Sequence, residues 1–379
     1  MPIAQKLREQ GHEVLFLVRD TATAGQLLDP CGFSFCQAPI CLNRKRLARP
    51  PANYAEMLIA AGYFDEALLR GLVRGWLSMV ELFEADLVVV DHSPTALLAC
   101  RLSGTPCIVV GNGFEIPPAL TPLPSIRPWE AISDQRLQQA DAFVLKHINA
   151  TVSGLGGSAL TSITELFAGS TKLLATFAEL DHYGTRNGVR YIGPIFSALP
   201  GRTVTWRQSD KKRIFCYLRP DTPGFLMALK VLSTFGAKVI LVAPGIEAKY
   251  AEELASNDFL ISRHPVTLEG LLNTADLVVS FGETGMVSLS LLVGVPLLLL
   301  PQNVEQYLIG LGVEKLGAGL LVREPQNENR MRELLTGLLA EPSFRHNAGG
   351  FAARYAGFDS NCAVEIVVNQ IRSELTQPA

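Results

Sequence analysis

A turn between an apolar strand and a helix is the part of this chain whose residue types best suit chemistry. The run Asp276–Ser280 is typical of a buried strand, and the turn after it reads Phe-Gly-Glu-Thr-Gly over 281–285. Backbone N–H groups at a helix start attract anions, and glycines let a phosphate approach the backbone. Glu305 and Gln306 follow the next apolar strand, after Pro301. Because ligands of parallel α/β sheets bind at the carboxyl ends of strands, we expect these segments to lie at one edge.

Composition restricts the class of protein. Of the 379 residues, 48% are apolar and 18% are charged, which excludes a disordered chain. The net charge of −3 argues against nonspecific nucleic-acid binding, which needs a basic surface. The seven cysteines include no C-x-x-C pair, so we expect reduced structural thiols and no metal site. No apolar leader is visible and the longest apolar run, Met286–Leu300, falls short of the roughly 20 residues of a membrane span. We therefore predict a cytoplasmic location.

Short apolar runs alternate with helix-length segments along most of the chain. Their near-continuous Val/Ile/Leu content is typical of strands buried on both faces, and the alternation predicts parallel, doubly wound sheets of the α/β class. The polar segment 194–212 is typical of a linker. We predict two Rossmann-like domains, residues 1–197 and residues 198–379, the second including the C-terminal helices. The predicted strands are Glu13–Val18, Leu87–Asp91, Cys107–Gly111, Arg213–Leu218, Lys238–Ala243, Asp276–Ser280 and Val295–Leu300.

The order of elements at the N-terminus is unusual for such a sheet. The first element is a helix, Pro2–Gln10, although a doubly wound sheet normally opens with a strand and a glycine-rich turn. We therefore expect the opening strand to be absent, either because of a misassigned start or a truncation, or because a natural variant closes the gap differently. A basic and helical stretch at 38–85 and a proline-rich loop at 112–130 also break the alternation. Such insertions either line a site or are solvated excursions.

The C-terminal half resembles one family in the order and spacing of its motifs. It is similar to the donor signature of the GT-B glycosyltransferases, in the bacterial branch of the UDP-glycosyltransferase superfamily. The matching residues are Val279-Ser280, Gly282, Gly285, Gly294-Val295-Pro296, Pro301, Gln306 and Gly317-Ala318-Gly319. Weaker matches in the N-terminal half are Gly11-His12-Glu13-Val14, Gly104-Thr105-Pro106 and Tyr191-Ile192-Gly193-Pro194. The resemblance covers nearly the whole chain and implies an acceptor-binding N-terminal domain and a nucleotide-sugar-binding C-terminal domain.

The resemblance also implies which residues bind the donor. The turn 282–285 would lie against the diphosphate, Glu305 and Gln306 would face the sugar hydroxyls, and the loop 264–266 would stack on the nucleobase. The implied donor-binding residues are Arg219, His264, Pro265, Val266, Gly282, Glu283, Thr284, Gly285, Glu305 and Gln306.

The chain departs from the family signature at several positions. The His that contacts the diphosphate is Phe281 here, the second glycine of its pair is Glu283, the signature Thr is Met286, and the ribose-binding Glu is Leu289. A carboxylate at position 283 would repel phosphate. Arg219 could supply the lost positive charge, because a guanidinium pairs well with phosphate oxygens. A plain surface arginine is the other interpretation.

The catalytic residues are implied less completely. Sugar transfer with inversion needs a base that deprotonates the acceptor hydroxyl. In much of the family this base is a His in the first strand–helix loop, oriented by an Asp, and that loop lies in the part that we expect to be absent. Asp91 matches the orienting Asp and His92 is its neighbour, so both are candidate catalytic residues. The alternative role for Asp91 is a helix N-cap before Pro94.

These features favour a glycosyltransferase that needs no cofactor or metal and uses a nucleotide sugar, a UDP- or dTDP-sugar, as co-substrate. The expected acceptor is a small apolar or lipid-like molecule, bound near the loop 112–130 and the helical region 53–85. The side chains of that region that could line its pocket, although such residues more often belong to a core, are Tyr54, Met57, Tyr63, Phe64, Trp76 and Met79.

Two other functions stay open at this point. A catalytically impaired GT-B-like binding or accessory protein is favoured by Phe281 and Glu283, and a nucleotide-sugar epimerase is the further alternative. If the opening strand is absent, we expect weak turnover from this chain. The basic run 44–49 leaves peripheral contact with an anionic membrane open, although short basic loops are usually just solvated.

Overall fold

A computed structural model describes residues 1–42, 44–197, 201–324 and 327–376. It contains two compact units. The first comprises Met1–Ala175, Arg186–Ile195 and the C-terminal helix, and the second comprises Thr176–Thr185 and Phe196–Asp359. None of the helices among the described residues has the length and hydropathy needed to cross a membrane.

The α-helices and strands follow one another in the order that the α/β prediction requires. The helices are α1 Pro2–Glu9, α2 Thr21–Leu28, α3 Tyr54–Ala60, α4 Glu66–Leu82, α5 Pro94–Ser103, α6 Asp134–Gly154, α7 Phe225–Ser233, α8 Ala248–Leu254, α9 Thr284–Leu292, α10 Val304–Lys315, α11 Glu328–Ala340, α12 Pro342–Arg354 and α13 Ser360–Thr376. The strands are β1 Leu15–Val18, β2 Ser34–Gln37, β3 Val88–Val90, β4 Cys107–Gly111, β5 Thr171–Leu174, β6 Arg190–Tyr191, β7 Arg213–Tyr217, β8 Lys238–Val242, β9 Phe259–Ser262, β10 Leu277–Ser280, β11 Leu297–Leu299 and β12 Gly319–Leu321.

The first unit is built on two parallel sheets. One is the pair β1-β2 and the other has the order β3-β4-β5-β6. Val90 is in register with Val109, so the loops that follow β3 and β4 leave the sheet side by side. Helix α1 contributes to the apolar clusters of both sheets. Ala4 shares a cluster with Phe33, next to β2, and Leu7 shares another with Ile108 of β4.

The second unit is a doubly wound parallel sheet with the order β12-β11-β10-β7-β8-β9. The chain adds β8 and β9 on one side of β7 and then returns to place β10 on its other side. Helices α7 and α11 contribute to one apolar cluster, and α9, α10 and α12 contribute to another, so both faces of the sheet are covered. The near-continuous apolar strands of the sequence are buried accordingly, with Ile214, Phe215 and Cys216 all fully inaccessible.

The last two helices of the chain, α12 and α13, belong to different units. Helix α12 packs in the second unit, where its Phe351 lies 5.2 Å from the ring of Phe177. Helix α13 packs in the first unit, where Val367 shares an apolar cluster with Leu173, and Lys6 of α1 forms an ion pair with Glu365. The predicted domains therefore differ from the observed units in two places: α13 belongs to the first unit, and Thr176–Thr185, within the predicted residues 1–197, belongs to the second. Residues 198–200, at the predicted boundary, lie outside the described part of the chain.

The proline-rich loop 112–130 is ordered by a buried polar contact rather than by helix or strand. Asn53 is fully buried, and its Nδ2 donates hydrogen bonds to the carbonyl of Leu123 at 3.3 Å and to Oδ1 of Asp141 at 3.0 Å. The backbone N–H of Leu123 donates to Oδ2 of the same Asp141 at 2.8 Å. Because Asn53 also caps α3 by accepting from the N–H of Glu56 at 3.1 Å, one side chain fixes both the loop and the helix start.

Candidate functional site

The switch point of the second unit lies between β7 and β10, and two of the predicted donor-binding segments begin there. Arg219 follows β7, and the turn 281–285 follows β10, which pairs with β7 from Leu277 to Ser280. In open α/β sheets, the crevice at such a switch point is where ligands bind. The predicted turn therefore lies at the position in this sheet that is best suited to hold a ligand.

The backbone of the turn depends on Gly282. Its φ of +92° is one that residues with a side chain rarely adopt, and a Cβ there would lie 3.1 Å from the backbone oxygen of Gln306. The N–H of Gly282 donates to the buried hydroxyl of Ser280 at 3.3 Å. Helix α9 begins directly afterwards at Thr284, and Gly285 has open space where its Cβ would be. The start of α9 thus presents backbone N–H groups beside two glycines, Gly282 and Gly285.

Two of the four substituted signature residues, Phe281 and Glu283, lie in different environments. Phe281 is 2% exposed, and its ring packs 5.7 Å from the ring of Tyr217. Glu283 is the N-cap residue of α9, but its side chain makes no capping hydrogen bond. Burial raises the pKa of the Glu283 carboxyl, and the nearby positive charge of Arg219 acts in the opposite direction. The side chain of Phe281 is therefore part of the apolar core, whereas Glu283 places an acidic group near Arg219.

Arg219 is exposed and forms an ion pair with Asp221 at 3.0 Å, with the Arg219 Nε also donating to Asp221 at 3.2 Å. These interactions raise the pKa of the guanidinium, with Asp221 as the largest cause. The Arg219 side chain is held by Asp221, two residues away in the same loop. An anionic ligand would therefore compete with this one solvent-exposed carboxylate for the guanidinium. Such exposed pairs contribute little to stability.

Glu305 and Gln306 lie in the first turn of α10, which begins after β11, next to β10 in the sheet. Asn303 caps this helix by accepting from the N–H of Gln306 at 2.9 Å, and Oε1 of Gln306 accepts from the N–H of Gln302 at 2.8 Å. The Gln306 side chain therefore fixes the helix entry, and its Oε1 is already engaged. Glu305 is half-buried on the same turn.

His264, Pro265 and Val266 follow β9, the edge strand of the sheet. The carbonyl of His264 accepts a 2.7 Å hydrogen bond from the hydroxyl of Ser262, which fixes the backbone of the loop. His264 and Pro265 are exposed, whereas Val266 is 8% exposed and packs into the core. Only the first two can offer a surface to a ligand, and two strands, β7 and β8, separate β9 from β10.

A pocket of the first unit brings the two predicted catalytic residues together. Asp91 and His92 follow β3, and the pocket is completed by the loop after β4. The empty space within it, about 280 Å³, includes open solvent. Its apolar lining includes Tyr54, Leu97, Ile116 and Phe167, and its polar lining includes Asn112 and Glu115. The pocket therefore combines an apolar wall with titratable groups, as small-molecule sites commonly do.

Asp91 does not cap the helix that follows it. The N-cap of α5 is Ser93, whose side chain makes no capping hydrogen bond, and Pro94 occupies the first helical turn. Burial raises the pKa of the Asp91 carboxyl. Its Oδ1 would lie 3.8 Å from a Cβ at Gly111, so the carboxylate points towards the end of β4.

His92 has a left-handed backbone, with φ of +43°. Its Nδ1 lies 3.0 Å from Oε1 of Glu115, and its ring lies edge-on to Tyr54 with a 6.3 Å centroid separation. Burial lowers the pKa of His92 to about 4, and the positive charges of Arg44 and Arg19 add to this effect. The imidazole is therefore neutral at pH 7. Asp91 and His92 line one pocket, although they are neighbours in a turn.

Glu115 and Asn112 are pocket residues that the sequence analysis did not single out. They follow β4 in the loop 112–130, which is proline-rich and carries no local motif around them. Their only sequence signal is position, because both come directly after a strand that neighbours the strand before Asp91. Of the predicted acceptor-lining aromatics, Tyr54 lines the pocket. Tyr63 and Trp76 are 1% and 6% exposed and do not line it; like Tyr54, which is also 1% exposed, they belong to the apolar core.

Comparisons with known proteins agree on one class of enzyme. The chain is 24% identical over 335 residues to the PGL/p-HBAD biosynthesis glycosyltransferase of Mycobacterium tuberculosis, which covers 81% of this chain and 77% of that protein. Among solved structures, the glycotransferase of kitacinnamycin is similar with a TM-score of 0.69 at 17% identity, over 98% of this chain and 94% of that one. The glycosyltransferase SsfS6 of Streptomyces sp. SF2575, complexed with thymidine diphosphate, is similar with a TM-score of 0.65 at 18% identity, over 97% and 94%. No family model matches the chain.

The structural similarity covers almost the whole chain and establishes the fold, which is that of the GT-B glycosyltransferases. The sequence similarity to glycosyltransferases extends over about four fifths of the chain. The chain therefore has the fold of the GT-B glycosyltransferases and is similar in sequence to bacterial glycosyltransferases.

Proposed function

We propose that this enzyme transfers a sugar, with inversion, from a nucleoside diphosphate sugar to a hydroxyl group of a small apolar or lipid-like acceptor. The observation that carries the proposal is the turn 281–285 at the switch point of the second unit, with Gly282 in a conformation that brings it close to α10. The donor diphosphate would lie against the backbone N–H groups at the start of α9, and Arg219 would exchange its exposed partner Asp221 for phosphate oxygens.

The nucleotide is proposed to be thymidine diphosphate, with uridine diphosphate as the alternative. The support is the structural similarity to SsfS6, which is complexed with thymidine diphosphate. Glu305 and the Nε2 of Gln306 are proposed to meet the sugar hydroxyls, and the exposed His264 and Pro265 to meet the nucleobase.

The acceptor is proposed to bind in the pocket of the first unit. Its apolar walls suit a ring or an alkyl chain. The sequence relative is named for PGL/p-HBAD biosynthesis, which supports a lipid-like or related acceptor. Asp91 and His92 are proposed to serve the acceptor hydroxyl there. Contact with an anionic membrane is proposed for the exposed basic segment, whose cationic residues are Arg44, Lys45, Arg46 and Arg49.

The first experiment measures the thermal stability of the chain with UDP, dTDP, GDP and their glucose conjugates. A ligand at 100 times its Kd stabilises the folded state by about 2.7 kcal/mol, which raises the Tm by roughly 5–10 °C for a domain of this size. We expect a selective shift with dTDP or UDP that Arg219→Ala reduces. The matched control is Arg207→Ala, an exposed arginine of the same unit that pairs with Asn257 at 2.6 Å.

The outcome also decides the alternative function. If no nucleotide shifts the Tm of a cooperatively folding sample, the donor site is not functional. The buried Phe281 and the acidic Glu283 would then support a GT-B-like binding protein that has lost its donor. If a nucleotide binds, incubation of the chain with the corresponding sugar nucleotide and with phenolic and lipid alcohols, followed by mass spectrometry, tests transfer to an acceptor.

A further inference from the structure

The pocket of the first unit contains a contact between a histidine and a carboxylate that the donor and acceptor assignments do not use. Nδ1 of His92 lies 3.0 Å from Oε1 of Glu115, and both residues line the pocket. A carboxylate can only accept, so the proton in this contact belongs to Nδ1 of the imidazole. Nε2 of the neutral ring is then the nitrogen that carries the lone pair.

The backbone of His92 supports a functional origin for this arrangement. Among the described residues, only His92 and Glu84 combine a side chain with a positive φ. Glu84 follows the end of α4, where left-handed residues are ordinary helix terminators. His92 instead lies between β3 and α5, and left-handed residues outside such terminators cost about 1–3 kcal/mol and concentrate at functional sites.

We propose that Glu115 is the positioning residue of a Glu115–His92 pair in which Nε2 of His92 is the base for the acceptor hydroxyl. This inference rests on the proposed function. In the step, the acceptor O–H proton moves to Nε2 and the acceptor oxygen forms a bond to the anomeric carbon. The bond from that carbon to the phosphate oxygen breaks, and the nucleoside diphosphate leaves with the electron pair. The imidazolium later releases its proton to solvent.

Electrostatics around His92 give the carboxylate a specific task. Burial keeps the imidazole neutral before the reaction, and the imidazolium that forms during proton transfer would be unfavourable in the same surroundings. Glu115 offsets this by contacting the ring on the nitrogen away from the substrate, as carboxylates do for other catalytic imidazoles. The charged and titratable groups that face His92 are Glu115 from the loop after β4, Asp91 before it in the turn, Arg19 after β1, Arg44 from the basic segment and Tyr54 at the start of α3.

The test compares Glu115→Gln with His92→Gln and with a matched control, Glu66→Gln, which removes an exposed carboxylate that pairs with Arg70 on α4. With dTDP-sugar and an acceptor alcohol, we expect His92→Gln to lower kcat by roughly 10²–10⁴-fold. Glu115→Gln should lower kcat by about tenfold or more, without a change in donor KM, and shift the acid limb of the pH–rate profile to lower pH. Equal kcat values for wild type and Glu115→Gln would overturn the proposal.

A second readout does not need turnover. Long-range ¹H–¹⁵N NMR reports the tautomer of each imidazole, and loss of a signal in His92→Gln assigns it. We expect the Nδ1–H tautomer for His92 in wild type and in Glu66→Gln, and a mixed population with a lower pKa in Glu115→Gln. An unchanged tautomer and pKa in Glu115→Gln would overturn the pairing itself. If the wild-type chain binds no nucleotide in the thermal assay, the proposed function is contradicted instead. Failure of the Glu115–His92 pairing and failure of the proposed function are therefore distinguishable.

Discussion

Replacing Gly282 with alanine tests whether the donor turn depends on its backbone conformation. The φ of +92° is strained for any residue with a Cβ, and the added atom would lie 3.1 Å from the backbone oxygen of Gln306. Left-handed strain of this kind costs about 1–3 kcal/mol. The close contact adds to it, because the opposing atom is backbone at the start of α10 and cannot rotate away. We expect a loss of about 2 kcal/mol or more, which lowers the Tm of this unit by roughly 4–8 °C.

Gly285 provides a control in the same turn. It lies in the first turn of α9, and no atom lies within 4 Å of the position that its Cβ would take. Alanine is favoured over glycine in helices by about 0.5–1 kcal/mol, so Gly285→Ala should be neutral or slightly stabilising. The two variants add the same methyl group three residues apart, and the reasoning predicts opposite signs.

The assay is thermal unfolding of both variants with and without the nucleotide that binds wild type. Gly282→Ala should unfold at a lower temperature and show a smaller ligand-induced shift, because the N–H groups at the start of α9 move with the turn. If Gly282→Ala and Gly285→Ala unfold at the same temperature, the turn tolerates a Cβ. The argument that its shape requires glycine would then be wrong.

Two further predictions concern stability. Asp141→Asn should destabilise the first unit by about 1–3 kcal/mol, because Asp141 accepts from both Asn53 and Leu123 and an amide must present a donor to one of them; an unchanged midpoint in urea would contradict this. Lys211 and Lys238 hold the pKa of Asp258 down to about 2, so its stabilising effect is present above about pH 4 and is lost as the pH falls towards 2. The Tm difference between wild type and Asp258→Asn should therefore shrink across that interval, whereas a constant difference would refute the assignment.

Elements with strong local signals could be predicted closely from the sequence. Strand β4 has the predicted bounds, because it is a short apolar run. The local signals of helix α5 are equally clear, since Pro94 starts the helix and Gly104 ends it in a left-handed conformation with φ of +74°. Strands β2, β5, β6, β9 and β12 were not predicted. The four residues of β2 are mostly exposed and include Ser34 and Gln37, so the chain there lacks the apolar run that marks the predicted strands.

The candidate site was predictable only in part, for a physical reason. Gly282 and Asp91 follow recognisable strands, so their places at the sheet edges follow from the α/β pattern. The contact between Glu115 and His92 depends on β3 and β4 pairing in a particular register, and no local feature of either segment encodes it. The return of α13 to the first unit is likewise decided by packing of Val367 and its neighbours against distant strands.

The family motif combines two properties of the donor turn, the backbone conformation and the side chains that contact the ligand. The substitutions at the signature positions change the side chains only. Phe281 points into the core beside Tyr217, so the loss of a polar side chain at that position removes a ligand contact without disturbing the backbone. Gly282 and the start of α9 keep the conformation that presents N–H groups. Charge at the turn is then set by Arg219 and Glu283, which interact electrostatically with each other. If the donor binds as proposed, its affinity should depend on the balance between these two side chains rather than on position 281, because both are charged residues beside the turn.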